Sequence, residues 1–276
     1  MKLRHFPALA LLCLGLPIHH LPAQGLEEPA APEESAAAEA APAPPTKAKK
    51  AKKPFVPLIT SSKPGAAKVR LFILSGQSNM HKLNPAISFT PAVEAAFPED
   101  DVVVVKDAQS AQPIRQWVKD WAPGPGAKFP DQRGTGELYE RLKQSIAKAM
   151  EGKPKPASVV FIWMQGEADT APWNSSVYEK SLQTLVANLR QDIGAPDMPV
   201  VIGRISDHRA HPKLQKSEDE VRQAQENFAK TDPHASWVDT DDLNGEKNEL
   251  HYTAEGYKTL GERFSTQAIK AINSVW

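Results

Sequence analysis

A serine follows an apolar run at what should be a tight turn. Val69–Leu74 is β-prone, and Ser75-Gly76-Gln77-Ser78-Asn79-Met80 comes directly after it. A helix that begins at Ser78 would direct backbone N–H groups toward the site beside the hydroxyl. A hydroxyl at the carboxyl end of a strand, next to such donors, is typical of a serine esterase. Because Gly-x-Ser is short, a plain helix N-cap is the alternative interpretation of Ser78.

A serine nucleophile needs a base, and the chain offers one histidine in a suitable place. His251 lies in Asn248–Thr253, just before a segment with helical periodicity. From a loop at the sheet edge it can reach back and take the proton of Ser78. His81 is closer in sequence, but an i,i+3 helical spacing does not aim it at a serine in the turn. We therefore predict His251 as the general base.

A third polar segment follows another apolar run. Trp163–Thr170 reads WMQGEADT, after a strand expected at 158–163. Gln165 is a neutral donor that can bind a developing oxyanion without titrating. Glu167 and Asp169 can fix this loop through hydrogen bonds, and an ordinary polar loop is the alternative.

These segments together resemble a known family. Gly76–Met80 (GQSNM), Gln165–Asp169 (QGEAD) and Leu250–Tyr257 (LHYTAEGY) are similar in order and spacing to the SGNH-hydrolase superfamily, in its sialate O-acetylesterase and carbohydrate esterase family 6 branch. The resemblance covers nearly the whole chain after residue 66. It implies a flavodoxin-like three-layer α/β/α fold and metal-free removal of acetyl groups from sugars.

The resemblance also implies roles for individual residues. Ser78 would be the nucleophile and His251 the general base. The Ser78 N–H, Gln165 and a loop N–H, assigned to Ala111, would form the oxyanion hole. The residues expected to contact substrate are Gln77, Asn79, Arg115, Trp117 and Glu167.

Two positions depart from the family pattern. Relatives usually carry Asp three residues before the histidine, and this chain has Asn248. Glu249 is the preferred substitute for the triad acid, with Asn248 itself and Asp242 as alternatives. The second departure is Ser110-Ala111, where relatives usually have Gly-Gly. We expect these two residues to resist a positive φ, which would damage the oxyanion hole.

The order of the predicted elements indicates an α/β fold. Apolar strands at 69–74, 101–106, 158–163, 199–203 and 237–238 alternate with helical patterns at 136–151, 177–193, 217–230 and 254–272. This alternation favours a mainly parallel five-stranded sheet with helices on both faces. Residues that carry chemistry should then meet at the carboxyl ends of the strands.

Composition excludes several classes of protein. Lys+Arg and Asp+Glu both count 33, so the balance gives no indication of nucleic-acid binding. Cys13 is the only cysteine, which excludes a disulfide scaffold in a mature chain that lacks it. No His/Asp/Glu cluster has metal-ligand spacing, and no cofactor is predicted.

The amino-terminal part is predicted to lie outside the fold. Residues 1–24 combine a basic start, a short apolar run and a small residue for cleavage, as in a secretory signal peptide. A lipoprotein anchor at Cys13 is disfavoured by bulky Leu12. Residues 25–66 form an Ala/Pro/Glu/Lys-rich linker that cannot bury a core, and 67–276 the esterase domain. We expect a secreted or periplasmic protein without an integral membrane segment after cleavage.

The resulting hypothesis is an exported serine esterase that removes O-acetyl groups from carbohydrates through an acyl-enzyme. One alternative is a catalytically impaired relative that binds glycans. Another is a lipase or arylesterase of the same superfamily. The sequence leaves open the sugar, the acetyl position and the oligomeric state.

Overall fold

The computed structural model describes residues 55–127, 134–208 and 212–275. In these ranges six strands form one sheet in the order β1-β3-β2-β4-β5-β6. All neighbouring pairs are parallel except β1, which is antiparallel to β3. The strands are β1 (Leu58–Ser61), β2 (Val69–Gly76), β3 (Asp101–Ala108), β4 (Ser158–Met164), β5 (Val200–Gly203) and β6 (Ala235–Val238).

Helices connect the strands and cover both faces of the sheet. They are α1 (Ser78–Lys82), α2 (Phe89–Ala96), α3 (Glu137–Ala149), α4 (Pro172–Ser175), α5 (Tyr178–Ile193), α6 (Gln215–Thr231) and α7 (Ala254–Val275), with 3₁₀ turns at Ile114–Trp117 and Glu167–Asp169. α2 packs against α7 and α5 packs against α6, while α3 contacts β3 and the 3₁₀ turn at Ile114–Trp117. In the described residues, no helix has the length and apolar character needed to cross a membrane.

The central strands are buried because their side chains are apolar on both faces. Every residue of β4 is buried, and Val102 to Val105 of β3 are fully enclosed. Parallel strands covered by helices on both sides require such continuous apolar runs. The predicted α/β class is therefore confirmed, and the predicted parallel strands and four long helices are present with small shifts at their ends.

One strand was missed, and the predicted linker is too long at its carboxyl end. β1 lies inside 25–66, where its residues pair with β3 and Ser61 Oγ donates to Asp101 Oδ1 at 2.7 Å. This edge strand is only four residues long and only partly buried. Pro57 precedes it, which an edge strand tolerates. Residues 1–54, with the predicted signal peptide and most of the linker, lie outside the described residues.

Candidate active site

A cavity of about 580 Å³ opens at the carboxyl ends of the parallel strands. Loops that follow β2, β3, β4 and β5, together with the loop before α7, contribute to its wall. Five of the residues predicted from sequence line it together: Gln77, Ser78, Ala111, Glu167 and His251. The topology thus brings Ser78 and His251, which are 173 positions apart in the chain, to one place.

Ser78 is positioned by a sharp turn at the end of β2. Gly76 has φ +143°, and a Cβ there would lie 1.9 Å from the Met164 carbonyl oxygen, so only glycine fits. The next N–H, of Gln77, donates to that same oxygen at 2.9 Å. Ser78 then begins α1 with 6% of its surface exposed. Within the described ranges its Oγ makes no hydrogen bond, so the hydroxyl is available to a ligand.

His251 is held beside Ser78 by their chain neighbours. Asn79 Nδ2 donates to the Leu250 carbonyl oxygen at 3.2 Å, and Asn79 Oδ1 accepts from the Tyr257 hydroxyl at 2.9 Å. The Ser78 and His251 side chains share the cavity without a direct hydrogen bond between them. Such bonds are often long in unliganded enzymes. Asn79 was expected to contact substrate, but it is fully buried and ties α1 to the His251 loop.

The surroundings of His251 favour its neutral form. Partial burial lowers its pKa below the usual 6.5, the charge of Lys82 lowers it further, and the charge of Glu249 opposes both. In the part of the chain that the structure describes, no carboxylate forms a hydrogen bond or ion pair with the imidazole. Glu249 therefore acts on His251 through its charge alone. A neutral imidazole is the form that a general base requires.

The other two candidates for the triad acid are engaged elsewhere. The amide of Asn248 turns away and donates to the Asp207 carbonyl oxygen at 2.8 Å. Asp242 accepts from both Nη atoms of Arg263, at 2.7 and 2.6 Å, and this pairing holds its pKa below the usual 3.8. The structure thus gives no support to Asp242 as a partner of His251.

Ala111 adopts a left-handed backbone conformation. Its φ is +57°, the left-handed region that a glycine would occupy more easily. The expectation that Ser110-Ala111 resists positive φ is wrong at Ala111. Among the described residues, neither its N–H nor that of Ser78 has an acceptor. Two free backbone donors therefore lie at the cavity, as an oxyanion hole requires.

Gln165 lies beneath the cavity and does not line it. Its Nε2 points at three acceptors: Gln77 Oε1 at 3.2 Å, the Gln112 carbonyl oxygen at 3.1 Å and Asp169 Oδ2 at 2.5 Å. Asp169 Oδ2 also accepts from the Ile114 N–H at 2.8 Å. These bonds join the loops after β2, β3 and β4. In this arrangement Gln165 positions the loops and is not free to donate to a substrate.

Two further residues that were expected to contact substrate lie in the interior. Trp117 is 1% exposed, packs edge-on against Trp163 at 5.0 Å between ring centroids, and donates from Nε1 to Ser75 Oγ at 3.2 Å. The Arg115 guanidinium is buried and stacks on the Trp121 ring at 5.6 Å. Neither residue lines the cavity. Both side chains instead fill space between loops and helices.

Comparison with known proteins establishes the family. A family model described as "Carbohydrate esterase, sialic acid-specific acetylesterase" matches residues 80–270, more than half of the chain. The chain belongs to this family of carbohydrate esterases. The match begins two positions after Ser78 and includes His251. The resemblance inferred from the three sequence motifs is thus confirmed.

The individual proteins compared here share little sequence with this chain. A probable carbohydrate esterase from Arabidopsis thaliana is 25% identical over 182 residues, which cover 65% of this chain and 60% of the relative. The X-ray structure of that Arabidopsis protein matches with a TM-score of 0.55 at 20% identity, over 73% of this chain and 98% of the other. The crystal structure of a carbohydrate acetylesterase from Xanthomonas citri matches with a TM-score of 0.55 at 15% identity. The match covers 75% of this chain and 57% of the other. These structural matches support the same fold.

Two residues that line the cavity were not predicted from the sequence. His208 follows β5, and Glu218 lies in the first turn of α6. Both line the cavity that contains Ser78 and His251. They lie outside the three motifs, and only their positions in the folded chain bring them to the site.

Proposed function

We propose that this chain is an exported serine esterase that removes O-acetyl groups from carbohydrates through an acyl-enzyme. The observation that supports this most is the meeting of Ser78, His251 and the free N–H groups of Ser78 and Ala111 at one cavity. Nucleophile, base and oxyanion donors are the three functions that acyl transfer needs. The predicted signal peptide at 1–24 supports export.

The proposed reaction proceeds in two stages. Ser78 Oγ attacks the acetyl carbonyl carbon while His251 takes the hydroxyl proton. The N–H groups of Ser78 and Ala111 donate to the oxyanion of the tetrahedral intermediate. The intermediate collapses, and His251 returns the proton to the departing sugar oxygen. A water molecule, deprotonated by His251, then attacks the acetyl-serine, and acetate leaves as Ser78 regains its proton.

Glu249 is the proposed electrostatic partner of His251. Its charge raises the pKa of the imidazole and so stabilises the imidazolium that forms during each proton transfer. Glu249 is exposed and makes no hydrogen bond to the ring. It therefore stabilises the imidazolium less than a buried, hydrogen-bonded triad aspartate would.

The acyl group is proposed to be acetyl. The Xanthomonas citri neighbour is described as a carbohydrate acetylesterase, and the family model is named for acetylesterases. Purified protein should release acetate from acetylated xylo-oligosaccharides or O-acetylated sialic acid, and should cleave a nitrophenyl acetate far faster than the octanoate. Faster cleavage of the octanoate would favour a lipase. Measured acetate indistinguishable from a no-enzyme blank would contradict the proposal.

A second candidate function is glycan binding without catalysis. It is favoured by one observation: within the described ranges, His251 has no carboxylate bonded to it. Saccharide binding with no acetate release, unchanged in the Ser78→Ala variant, would establish this alternative. A burst of product equal to the enzyme concentration would exclude it, because a burst requires an acyl-enzyme.

The pH dependence of kcat/KM should report the ionisation of His251. Since the base must be neutral, activity should rise as pH passes upward through its lowered pKa, with a midpoint below 6.5. Lys82→Gln should move this midpoint upward and Glu249→Gln should move it downward, because the two charges act on the imidazole in opposite directions. Shifts of equal sign in the two variants would show that another group controls the acid limb.

A further inference from the structure

The wall of the cavity formed after β5 and by α6 is polar and largely buried. His208 Nδ1 lies 3.5 Å from Glu218 Oε1, and their side chains are only 10% and 4% exposed. Both residues line the cavity together with Glu167. The charges of His208 and Glu218 also act on Glu167, whose pKa is raised chiefly by burial. Three ionisable side chains are thus gathered at this wall.

Each of these side chains has a buried polar atom without a hydrogen-bond partner in the described structure. The atoms are Glu167 Oε2, Glu218 Oε1 and His208 Nδ1. The 3.5 Å separation between His208 and Glu218 does not satisfy either atom. Buried groups of this kind cost free energy when unpaired, so they are normally satisfied. Their concentration at the cavity wall points to a ligand that supplies the missing partners.

We propose that His208 and Glu218, with Glu167, bind the hydroxyl groups of a neutral sugar and so determine substrate specificity. This inference rests on the proposed function of the same cavity. A carboxylate oxygen can only accept hydrogen bonds, and sugar hydroxyls are donors that also accept. Neighbouring hydroxyls on one sugar ring can therefore donate hydrogen bonds to Glu167 and Glu218. One hydroxyl can also accept a hydrogen bond from His208 or donate one to it.

The charges at this wall disfavour an anionic sugar. In the part of the cavity that the structure describes, Glu218 is buried, Glu167 is half-buried and the cation Lys82 is exposed. A sugar carboxylate placed against the buried Glu218 would be repelled in a poorly screened environment. We therefore expect acetyl esters of neutral sugars to be better substrates than O-acetylated sialic acid, although the family is named for the latter.

The test compares Glu218→Gln with the wild type. Glutamine keeps the shape and removes the charge. Measuring kcat/KM for an acetylated xyloside, O-acetylated sialic acid and nitrophenyl acetate separates sugar recognition from chemistry. The wild type should prefer the xyloside over the sialate by about tenfold or more, a ratio expected for one charged hydrogen bond. In the Glu218→Gln variant, kcat/KM for the xyloside divided by kcat/KM for nitrophenyl acetate should fall about tenfold, mostly because KM for the xyloside rises. The ratio of kcat/KM for the xyloside to that for the sialate should also become smaller.

Glu220→Gln is the matched control. Glu220 lies on the same helix, accepts a hydrogen bond from Ser175 Oγ at 2.6 Å and does not line the cavity. The Glu220→Gln variant should keep both the xyloside-to-sialate and the xyloside-to-nitrophenyl acetate ratios of kcat/KM. Unchanged ratios in Glu218→Gln, or a wild-type preference for the sialate, would overturn the inference while leaving the esterase activity intact.

A binding measurement tests the wall without any chemistry. Calorimetric titration of the Ser78→Ala variant should show that deacetylated xyloside binds at least tenfold more tightly than sialic acid. The double variant Ser78→Ala, Glu218→Gln should lose this difference in affinity. Equal binding of both sugars would overturn the inference. Absence of acetate release from every sugar ester, with selective binding retained, would instead contradict the proposed function alone.

Discussion

Replacing Ser78 with alanine is expected to lower kcat/KM for an acetylated sugar by about 10⁵-fold or more, the range seen when a serine nucleophile is removed. The variant loses the oxygen that forms the acyl-enzyme, whereas the backbone N–H groups of Ser78 and Ala111 remain. Residual catalysis should come from these donors and from substrate binding. Steady-state acetate release gives the loss, and nitrophenol release from excess nitrophenyl acetate before the steady state shows whether the burst has disappeared.

The structure predicts that this loss is not caused by unfolding. Ser78 Oγ has no hydrogen bond to any described residue, and α1 does not depend on it for a cap. The melting temperature of the Ser78→Ala variant should therefore differ from that of the wild type by no more than a few degrees. This is the shift expected when the free energy of unfolding changes by less than about 1 kcal/mol. Activity within tenfold of wild type, in a protein that melts normally, would show that the nucleophile lies elsewhere.

The sequence was sufficient for the parts of the site that depend on local backbone geometry. Gly76 is required where β2 turns against Met164, and the short segment around it places Ser78 at the start of a helix. Thr253 Oγ1 accepts the Gly256 N–H at 2.9 Å and so caps the start of α7, three residues along the chain. Both signals involve residues a few positions apart, so they can be identified without the fold.

The direction of polar side chains could not be predicted in the same way. Asn79 and Gln165 have the chemistry of ligand-binding residues, yet both point into contacts between loops. Trp117 packs in the interior. Conversely, His208 and Glu218 reach the cavity because β5 and α6 meet the site in three dimensions, and nothing in their immediate sequence indicates this. Residue type limits what a side chain can do, but tertiary packing decides which groups a ligand meets.

Replacing His251 with alanine is the second large expected effect, a loss of about 10³-fold in kcat/KM for nitrophenyl acetate and for sugar esters alike, within the 10²–10⁴ range of general-base catalysis. Ser78 would lose the acceptor of its proton, and the limb of the pH profile assigned to His251 should disappear. Added imidazole should restore part of the rate, because the deletion leaves space at an open cavity beside Ser78.

His81→Ala is the control that separates this role from a general loss of structure near α1. His81 lies three residues after Ser78, is exposed, and its Nδ1 is 3.2 Å from the Ala108 carbonyl oxygen. It does not line the cavity, so its variant should stay within threefold of wild type. If His81→Ala or His208→Ala greatly lowered kcat/KM for nitrophenyl acetate while His251→Ala left it nearly normal, that other histidine would be the general base. That outcome would leave Ser78 as the nucleophile and change only the direction from which its proton is removed.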